Sequence, residues 1–504
     1  MADSNSTSPD SSSPDISDSS IGLALSGGGF RAAAFHLGAL KRLEEVGILP
    51  HIDILSTVSG GSITGALYAL RCAQRGDGRP GTYAVDDLIE EVKELVTQNL
   101  RRQALYGGIS NTLQTVGSFL SQNIRRTPLL ADELDQQVFD GALLSDLPNW
   151  VVVNATNLAT GKRWKFFADR AGDFRVGATD KTDDIDLTEA VTASAAYPLL
   201  TDPYPFRGRW EDFRGDLLKG RWQRPNQRRA GDISRWRRRY GSRRGEATFP
   251  LVDGGIYDNL GLNSLRSMGV DYVIYSSAAS ASSAYRGGGL SKNLRRAVFS
   301  MHSRLGDVTR QHAHEMTHVV APEDARSKLR QLAAELEDIE GALQDTEETT
   351  VEGLAGIADK LREASGVGWP PRGTQYKAVA PVILNKTDLA EGEEPYDLPS
   401  DQRGLVPQLV EELARVRTDL DAHHPDVIDL LIAQGYFLTD SRLTVGMPDL
   451  VTRASGADDP IGGERPSWEW AHQTIEQANS NERATKELLR KAGEQKFFLG
   501  KNPE

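Results

Sequence analysis

Ser26-Gly27-Gly28-Gly29-Phe30-Arg31 is the stretch that decides the fold prediction, because it joins a short apolar segment, Ile21–Leu25, to a helical pattern at 31–46. The apolar segment predicts a buried strand, and Gly47 is expected to end the helix. Glycines between a strand and a helix let several backbone N–H groups point at one place, where the helix dipole adds positive charge. Such a loop stabilises an oxyanion, binds a phosphate or is a purely structural turn.

The same glycines fit a loose dinucleotide-binding fingerprint, Gly27-x-Gly29-x-x-Ala32. That fingerprint requires an acid at the end of the second strand. Asp53 is at about the right distance but at the beginning of the second predicted strand. The loop also lacks the Gly-Lys-Ser/Thr of a P-loop. An anion hole and a structural turn therefore remain as the alternatives.

Strands and helices alternate along the chain. A second strand is predicted at 53–55 and a second helix at 60–72. Further strands are predicted at 150–154, 270–275 and 377–384, although Pro381 disfavours the last. This alternation predicts an α/β fold with three α/β/α layers and a mostly parallel central sheet. Active sites of such sheets lie at the carboxyl ends of the strands, where both glycine-rich turns fall.

Two further motifs supply reactive groups. Ser59 follows the second strand in Thr57-Val58-Ser59-Gly60-Gly61, a pattern close to the Gly-x-Ser-x-Gly nucleophile elbow, although serine is also a common helix N-cap. Asp253 follows an apolar run in Asp253-Gly254-Gly255, a pattern that is more often a structural turn. Together the motifs supply an oxyanion hole, a nucleophile and a base, which are the parts of an acyl hydrolase.

These motifs resemble those of bacterial patatin-like phospholipases. The segment 193–198, Ala-Ser-Ala-Ala-Tyr-Pro, resembles a further family motif, and 416–436 resembles a later part of bacterial members. The resemblance spans about 21–320 and 375–445. It departs from the family at Ser26, where the family has an acid, and at Thr57, where the elbow has a glycine.

The resemblance implies a Ser–Asp dyad that needs no metal cofactor. Ser59 would attack an ester carbonyl, and Asp253 would accept its proton. The implied oxyanion donors are the backbone amides of Gly27, Gly28 and Gly29. Arg31 would support this loop or an anionic substrate, and Gly60 and Gly61 would complete the elbow.

The sequence also predicts how the chain is divided. A Ser/Asp-rich disordered tail precedes a catalytic domain that is interrupted by a helical insertion and followed by a helical extension with an amphipathic helix at 466–496. The predicted ranges are 1–20 for the tail, 21–320 for the catalytic domain, 321–370 for the insertion with a helical hairpin at 325–365, 371–445 for the continuation, and 446–504 for the C-terminal extension.

Composition limits the location and the partners. The chain has 504 residues and one cysteine, so an intramolecular disulfide framework is excluded and a reducing compartment is expected. No run reaches the ~18 apolar residues of a membrane span. Residues 1–20 lack the basic and apolar parts of a secretory signal. We therefore expect a cytoplasmic protein, with peripheral contact at the inner membrane face.

Charge is concentrated in one segment. Residues 207–244 contain 14 Lys or Arg against four acids, whereas the rest contains 44 against 67. The aromatic residues interleaved with these cations predict a flap that contacts anionic lipid, rather than a nucleic-acid site. A solvated loop that pairs with the protein's own acids is the alternative. The aromatic residues are Trp210, Phe213, Trp222, Trp236 and Tyr240.

Histidines offer a competing chemistry. His314-Glu315-Met316-Thr317-His318 matches the His-Glu-x-x-His pattern of zinc proteases, with Glu335, Glu337 or Glu340 as a third ligand. An incidental metal site or an accidental pattern would look the same. His36, within the first helix, is expected to be a packed core residue.

We therefore expect a lipid acyl hydrolase of the phospholipase A or lysophospholipase type, acting on phospholipids. A second hypothesis is a regulated effector, for example in antiviral defence, whose hydrolase is silent until triggered. In that case 321–370 and 446–504 would mediate homo-oligomer formation or receive a small-molecule activator.

Overall fold

The structure is a computed structural model. It describes most of the α/β core that the sequence predicts. Three predictions lie outside the described residues: the tail at 1–18, the helical hairpin at 325–365 and the histidine motif at 314–318. The flap is described only up to residue 213. The described residues are 19–97, 131, 134–198, 201–213, 245–278, 309, 378–383, 404–416, 423–455 and 466–494.

A ten-stranded sheet forms the middle layer of the described chain. The strands are β1 (Ile21–Leu25), β2 (Ile52–Val58), β3 (Val151–Asn157), β4 (Lys162–Phe167), β5 (Arg170–Asp173), β6 (Gly177–Thr179), β7 (Tyr204–Arg209), β8 (Glu246–Asp253), β9 (Tyr272–Ser277) and β10 (Ala378–Ile383). Their order is β10-β9-β1-β2-β3-β4-β5-β6, with β8 also on β3 and β7 on β8. The strands from β10 to β3 are parallel, as predicted, and antiparallel strands extend the sheet beyond β3.

Helices cover both faces of the sheet and confirm the three-layer prediction. One face packs against α1, α2, α4 and α8, and the other against α6. None of the described helices has the length and apolar character needed to cross a bilayer. The helices are α1 (Gly29–Glu45), α2 (Gly60–Gln74), α3 (Val85–Thr97), α4 (Leu187–Ala195), α5 (Gly255–Asp258), α6 (Leu262–Met268), α7 (Pro407–Leu413), α8 (Pro425–Gly446), α9 (Pro448–Ser455), α10 (Glu469–Ser480) and α11 (Glu482–Glu494). Short helical turns occur at Leu49–His51, Asp135–Phe139, Leu144–Asp146 and Thr182–Asp184.

The C-terminal helix α8 packs directly on α1 through two glycines. A Cβ atom at Gly38 would lie 1.8 Å from the carbonyl oxygen of Ile432, and one at Gly435 would lie 2.1 Å from that of Phe35. Such distances leave no room for a side chain, so both positions require glycine. The segment around 435 is therefore part of the core that supports α1.

The structure corrects several local predictions. The single helix expected at 466–496 is two helices that end and begin around Asn481, whose backbone leaves the helical region with φ −111° and ψ 36°. The last residue of the predicted tail, Ser20, is held by a hydrogen bond from its amide to Asp271 (3.0 Å). Pro381 is compatible with β10 because that strand pairs only with β9 among the described strands.

Two aromatic residues assigned to the lipid-contacting flap are instead part of the core. Trp210 is 4% exposed and Phe213 is fully buried. Both rings pack against Phe249 of β8, with centroids 5.3 and 5.0 Å away. Their large apolar area is buried between β7, β8 and β4, so these two rings are not available to a lipid surface.

Candidate active site

Strands β2 and β8 meet end to end along one edge of β3. The other edge of β3 is occupied by β4. β2 runs parallel to β3 and ends with Val58 opposite Asn154. β8 runs antiparallel and ends with Asp253 opposite Ala155. Because Asn154 and Ala155 are adjacent, the residues that follow β2 are brought directly to the end of β8.

Ser59 lies at this junction in a strained backbone conformation. Its φ of 51° and ψ of −119° are avoided by most side chains, and the residue is buried. Its side chain makes no capping hydrogen bond to α2, which argues against the N-cap interpretation. A Cβ at Gly60 would lie 2.1 Å from the Gly29 carbonyl oxygen, and one at Gly61 would lie 2.4 Å from that of Leu25. The elbow therefore needs both glycines to approach the triglycine loop.

Asp253 lies beside the side chain of Ser59, which stabilises the charged form of its carboxylate. Its Oδ1 also accepts a hydrogen bond from the backbone amide of Gly255 (2.7 Å), so the residue shapes the turn as well. Burial raises the pKa of Asp253 to about 6, although the Ser59 side chain and the Gly255 amide favour the charged form and oppose this rise. A carboxylate with this pKa is ionised at neutral pH and basic enough to accept a proton from a hydroxyl group.

The three amides of the triglycine loop differ in their hydrogen bonds. The Gly27 amide donates to the carbonyl oxygen of Asn259 (3.0 Å), so it supports the loop. Gly28 and Gly29 have φ values of 146° and 59°, which side chains disfavour. Within the described residues, their N–H groups have no backbone acceptor. Of the three amides expected to donate to an oxyanion, that of Gly27 is therefore the one already bonded to a backbone carbonyl of the described residues.

Arg31 is fully buried and binds backbone carbonyl groups. Its guanidinium donates to the carbonyl oxygens of Ala414 (2.8 Å), Val416 (3.0 Å) and Ala278. The Ala278 oxygen would lie 3.3 Å from a Cβ at Gly28, so this carbonyl borders the loop. Of the two predicted roles, the geometry favours support of the loop, because the buried guanidinium is directed at the chain itself.

The part of the chain that carries Ser59 and Asp253 matches a known family in sequence. Residues 23–266 match the family model described as patatin-like phospholipase. Residues 23–266 form a patatin-like phospholipase domain. The motifs of Ser59 and Asp253 lie within the matched residues.

Named relatives of the patatin-like domain share short segments with it. Lysophospholipase NTE1 of Coccidioides immitis (strain RS) is 56% identical over 50 residues, which are 10% of this chain and 3% of that protein. Neuropathy target esterase sws of Drosophila persimilis is 47% identical over 60 residues, which are 12% of this chain and 4% of that protein. The chain thus spans only a small part of the length of these relatives.

Solved structures similar to this chain include phospholipases. Human GIVD cytosolic phospholipase A2 is 15% identical, with 52% of this chain and 46% of that chain covered and a TM-score of 0.34. VipD from Legionella pneumophila is 13% identical, with 96% and 92% covered and a TM-score of 0.24. Both TM-scores are low, so the family assignment rests on the sequence match.

Ser194 links the parts of the patatin-like site, a role that the sequence did not indicate. Its hydroxyl accepts a hydrogen bond from the backbone amide of Ser59 (2.9 Å) and donates to the carbonyl oxygen of Asn154 (2.6 Å). Its own carbonyl accepts from the amide of Gly254 (3.2 Å). Ser194 thus contacts the elbow, β3 and the turn after β8. The motif 193–198 supported the family resemblance, but only the fold shows which backbone groups its serine meets.

Both departures from the family pattern are accommodated by buried hydrogen bonds. The Ser26 hydroxyl accepts from the amide of Ala278 (3.1 Å) and donates to the carbonyl oxygen of Gly27 (3.2 Å). The Thr57 hydroxyl donates to the carbonyl oxygen of Val152 (3.2 Å) and accepts from Ser62 (3.0 Å). Each side chain therefore stabilises the element on which it lies.

His36 is a core residue, as expected. Its Nε2 lies 2.9 Å from the carbonyl oxygen of Ser26, so Nε2 carries the proton and Nδ1 accepts from the hydroxyl of Ser276 (2.7 Å). Burial lowers the pKa of His36 to about 4, against the opposing effect of the bond to Ser26. No group of three potential metal ligands occurs among the described residues, and His314–His318 lies outside them.

Proposed function

We propose that the chain hydrolyses carboxylic esters of phospholipids or lysophospholipids, with Ser59 as nucleophile and Asp253 as base. The observation that carries this proposal is the juxtaposition of Ser59 and the buried carboxylate of Asp253, which β2 and β8 bring together on one edge of β3. The strained backbone at Ser59 and the raised pKa of Asp253 support it, because both are typical of a reacting pair.

The first half of the proposed reaction forms an acyl-enzyme. The Ser59 hydroxyl gives its proton to Asp253 while its oxygen attacks the ester carbonyl carbon. The negative charge that develops on the carbonyl oxygen is stabilised by the amides of Gly28 and Gly29. Collapse of the tetrahedral intermediate breaks the bond to the leaving alcohol, which takes the proton from Asp253.

The second half releases the fatty acid. Asp253 accepts a proton from a water molecule, whose oxygen attacks the acyl carbonyl carbon on Ser59. The same two amides stabilise the second oxyanion. Ser59 leaves with the proton held by Asp253, and the free acid departs. Removal of one oxyanion donor is expected to cost about 10²–10³-fold in rate.

Peripheral membrane contact belongs to the same proposal. The segment 207–244 supports it through its 14 basic residues, since cations near a bilayer attract anionic headgroups. Trp210 and Phe213 no longer contribute to this argument, because both are in the core.

The decisive experiment is labelling with a fluorophosphonate probe, followed by intact-protein mass spectrometry. We expect one adduct on the wild type, none on Ser59→Ala and a slower reaction on Asp253→Asn. Ser267→Ala is the matched control, because this serine lies on the opposite face of the sheet and should leave the adduct unchanged. An adduct that persists in Ser59→Ala would exclude Ser59 as the nucleophile.

Lipid specificity is tested on the same proteins. The wild type is incubated with diacyl phospholipid or lysophospholipid, and released fatty acid is measured by mass spectrometry. Release from either lipid, absent in Ser59→Ala, would support the proposed substrate class. A labelled serine without release from any phospholipid would restrict the activity to other esters.

A further inference from the structure

Two large apolar side chains, Leu158 and Phe174, are exposed on the patatin-like domain. Their exposed fractions are 49% and 46%, and they are the exposed large hydrophobic residues of the described ranges. Leu158 begins the turn between β3 and β4, and Phe174 begins the turn between β5 and β6. Single exposed apolar residues are common, but two on neighbouring turns form a feature that can serve binding.

Both turns lie at the edge of the sheet that carries Ser59 and Asp253. β3 and β5 run in the same direction because each is antiparallel to β4, and each turn follows a carboxyl end. Asp253 is opposite Ala155. Leu158 follows Ala155 by three residues, which corresponds to about 10 Å along the strand direction. Its amide donates to the carbonyl oxygen of Pro250 (3.0 Å), so the turn contacts the strand that ends in Asp253.

A single buried carboxylate holds the two turns together. Oδ2 of Asp173 accepts hydrogen bonds from Nδ2 of Asn157 (2.8 Å) and the hydroxyl of Thr160 (2.6 Å). Its Oδ1 accepts from the amides of Arg175 (2.6 Å) and Val176 (2.9 Å). Four hydrogen bonds to one buried group fix the relative position of the turns. The exposed side chains are thus presented without a large loss of loop entropy on binding.

Basic residues flank the two turns. Arg175 is exposed next to Phe174, and Lys162 follows the turn of Leu158. β7 and β8 extend past the carboxyl end of β3, because Leu251 is opposite Asn157 and β8 begins five residues earlier. The exposed cations of this hairpin are Arg207 and Arg209. Its nearby acids include Glu211, which pairs with Arg209 (2.9 Å), and Glu246, which is opposite Arg209 in the ladder.

We propose that these turns insert Leu158 and Phe174 into an anionic phospholipid bilayer. We call the surface the docking edge and define it as Leu158, Phe174, Lys162, Arg175, Arg207 and Arg209. The inference rests on the proposed function, because the phospholipid substrate of Ser59 is found in a bilayer. Separate apolar tips with basic neighbours suit the headgroup boundary, whereas a stable protein interface needs a larger continuous apolar core.

The first test uses the single cysteine of the chain, Cys72, which is buried. A cysteine introduced by Phe174→Cys can therefore be labelled selectively with an environment-sensitive dye. Asp169→Cys is the matched control, because Asp169 is exposed in the turn between β4 and β5 at the opposite edge. Both variants carry Ser59→Ala, so that vesicles of phosphatidylcholine and phosphatidylglycerol are not hydrolysed.

We expect the dye at position 174 to shift to shorter wavelength on addition of vesicles, and the dye at position 169 to stay unchanged. No shift at position 174, or equal shifts at both positions, would overturn the proposal.

The second test measures vesicle co-sedimentation of Leu158→Ser/Phe174→Ser in the Ser59→Ala background. We expect the partition coefficient to fall about tenfold, because two apolar side chains no longer leave water. Unchanged partition overturns the docking edge. A change in mass by light scattering, from a dimer to a monomer, would assign the surface to a second copy and also overturn it.

Failure of the proposed function is detected separately. The same double substitution in the active Ser59 background is assayed on a soluble short-chain ester. Hydrolysis at the wild-type rate together with reduced vesicle binding supports the docking edge. If the wild type hydrolyses no ester but the dye at position 174 still responds to vesicles, the proposed function fails and the docking edge stands.

Discussion

The methyl group of Thr57 occupies the space that a side chain at Gly65 would need. A Cβ at position 65 would lie 2.5 Å from Cγ2 of Thr57. Rotation of the Thr57 side chain away from Gly65 is unfavourable, because its hydroxyl is bonded to Val152 and Ser62 and its χ1 angle is stiff. The elbow has Thr57 where the family pattern has a glycine. Helix α2 has a glycine, Gly65, where it contacts this threonine.

This pair predicts a favourable interaction between Thr57→Ser and Gly65→Ala in a double-mutant cycle. Gly65→Ala in the wild type should lower the free energy of unfolding by about 1–3 kcal/mol through overpacking. In a Thr57→Ser background this clash is removed and the contacts that remain are with Cδ atoms of Leu25 and Leu55, both at 3.3 Å. The same change should then cost less, and helix propensity offsets up to about 1 kcal/mol of the cost. Urea unfolding measures both values.

Gly76→Ala is the control for this cycle, because a Cβ at position 76 would meet nothing within 4 Å. Equal effects of Gly65→Ala in both backgrounds would show that Thr57 and Gly65 do not interact.

The activity should depend on the ionisation of Asp253. Burial raises the pKa of Asp253 from 3.8 to about 6, and only the ionised carboxylate can accept the Ser59 proton. We expect kcat/KM for a soluble ester to rise with pH and level off above the pKa, being about tenfold lower at pH 5 than on the plateau. Circular dichroism checks that the fold persists at pH 5. A profile that is flat across this range would contradict a base with this pKa.

Ser194→Ala should lower kcat more than it changes KM. The substitution leaves the Ser59 amide and the Asn154 carbonyl without their buried partner, which costs about 1–3 kcal/mol of stability and releases the elbow. Ser264→Ala is the matched control, because it also removes a buried hydrogen bond to Asn154 (2.6 Å) but does not contact Ser59. If both variants reduce kcat equally, Ser194 acts only through stability.

His36 predicts a loss of stability in acid. Burial lowers the pKa of His36 to about 4, whereas the unfolded residue titrates near 6.5, the ordinary value of histidine. Below the unfolded value the unfolded state binds the proton first, so the free energy of unfolding falls as pH decreases towards 4. The expected loss, relative to His36→Gln, is about 3 kcal/mol between pH 7 and pH 4. Parallel stability curves for the two proteins would show that His36 has the same pKa in the folded and unfolded states.

Local patterns were sufficient for much of the core. The predicted strands at 21–25, 53–55 and 150–154 correspond to β1, β2 and β3, which run parallel as expected, because a buried strand requires a continuous apolar stretch between turn residues. The final helix was predicted less well. Its apolar spacing continues through Asn481, and the break there depends on how α10 and α11 pack rather than on the spacing.

The burial of two aromatic residues was also not predicted from the sequence. Composition placed Trp210 and Phe213 among basic residues and suggested contact with lipid. Pairing of β7 with β8 turns these rings towards Phe249 instead. Their burial depends on the direction that the chain takes after β7, and that was not evident from charge.

The sequence by itself determined the proposed reactive groups and their supporting turns: Ser59, Asp253 and the glycines between them and the helices. Short-range sterics require glycine where two backbones meet, so these positions are visible in the chain. Only the tertiary structure decided that β2 and β8 share one edge of β3, that Ser194 bridges their ends and that Gly27 donates to Asn259. These relationships join residues far apart in the chain, and long-range pairing in the sheet, rather than local preference, sets them.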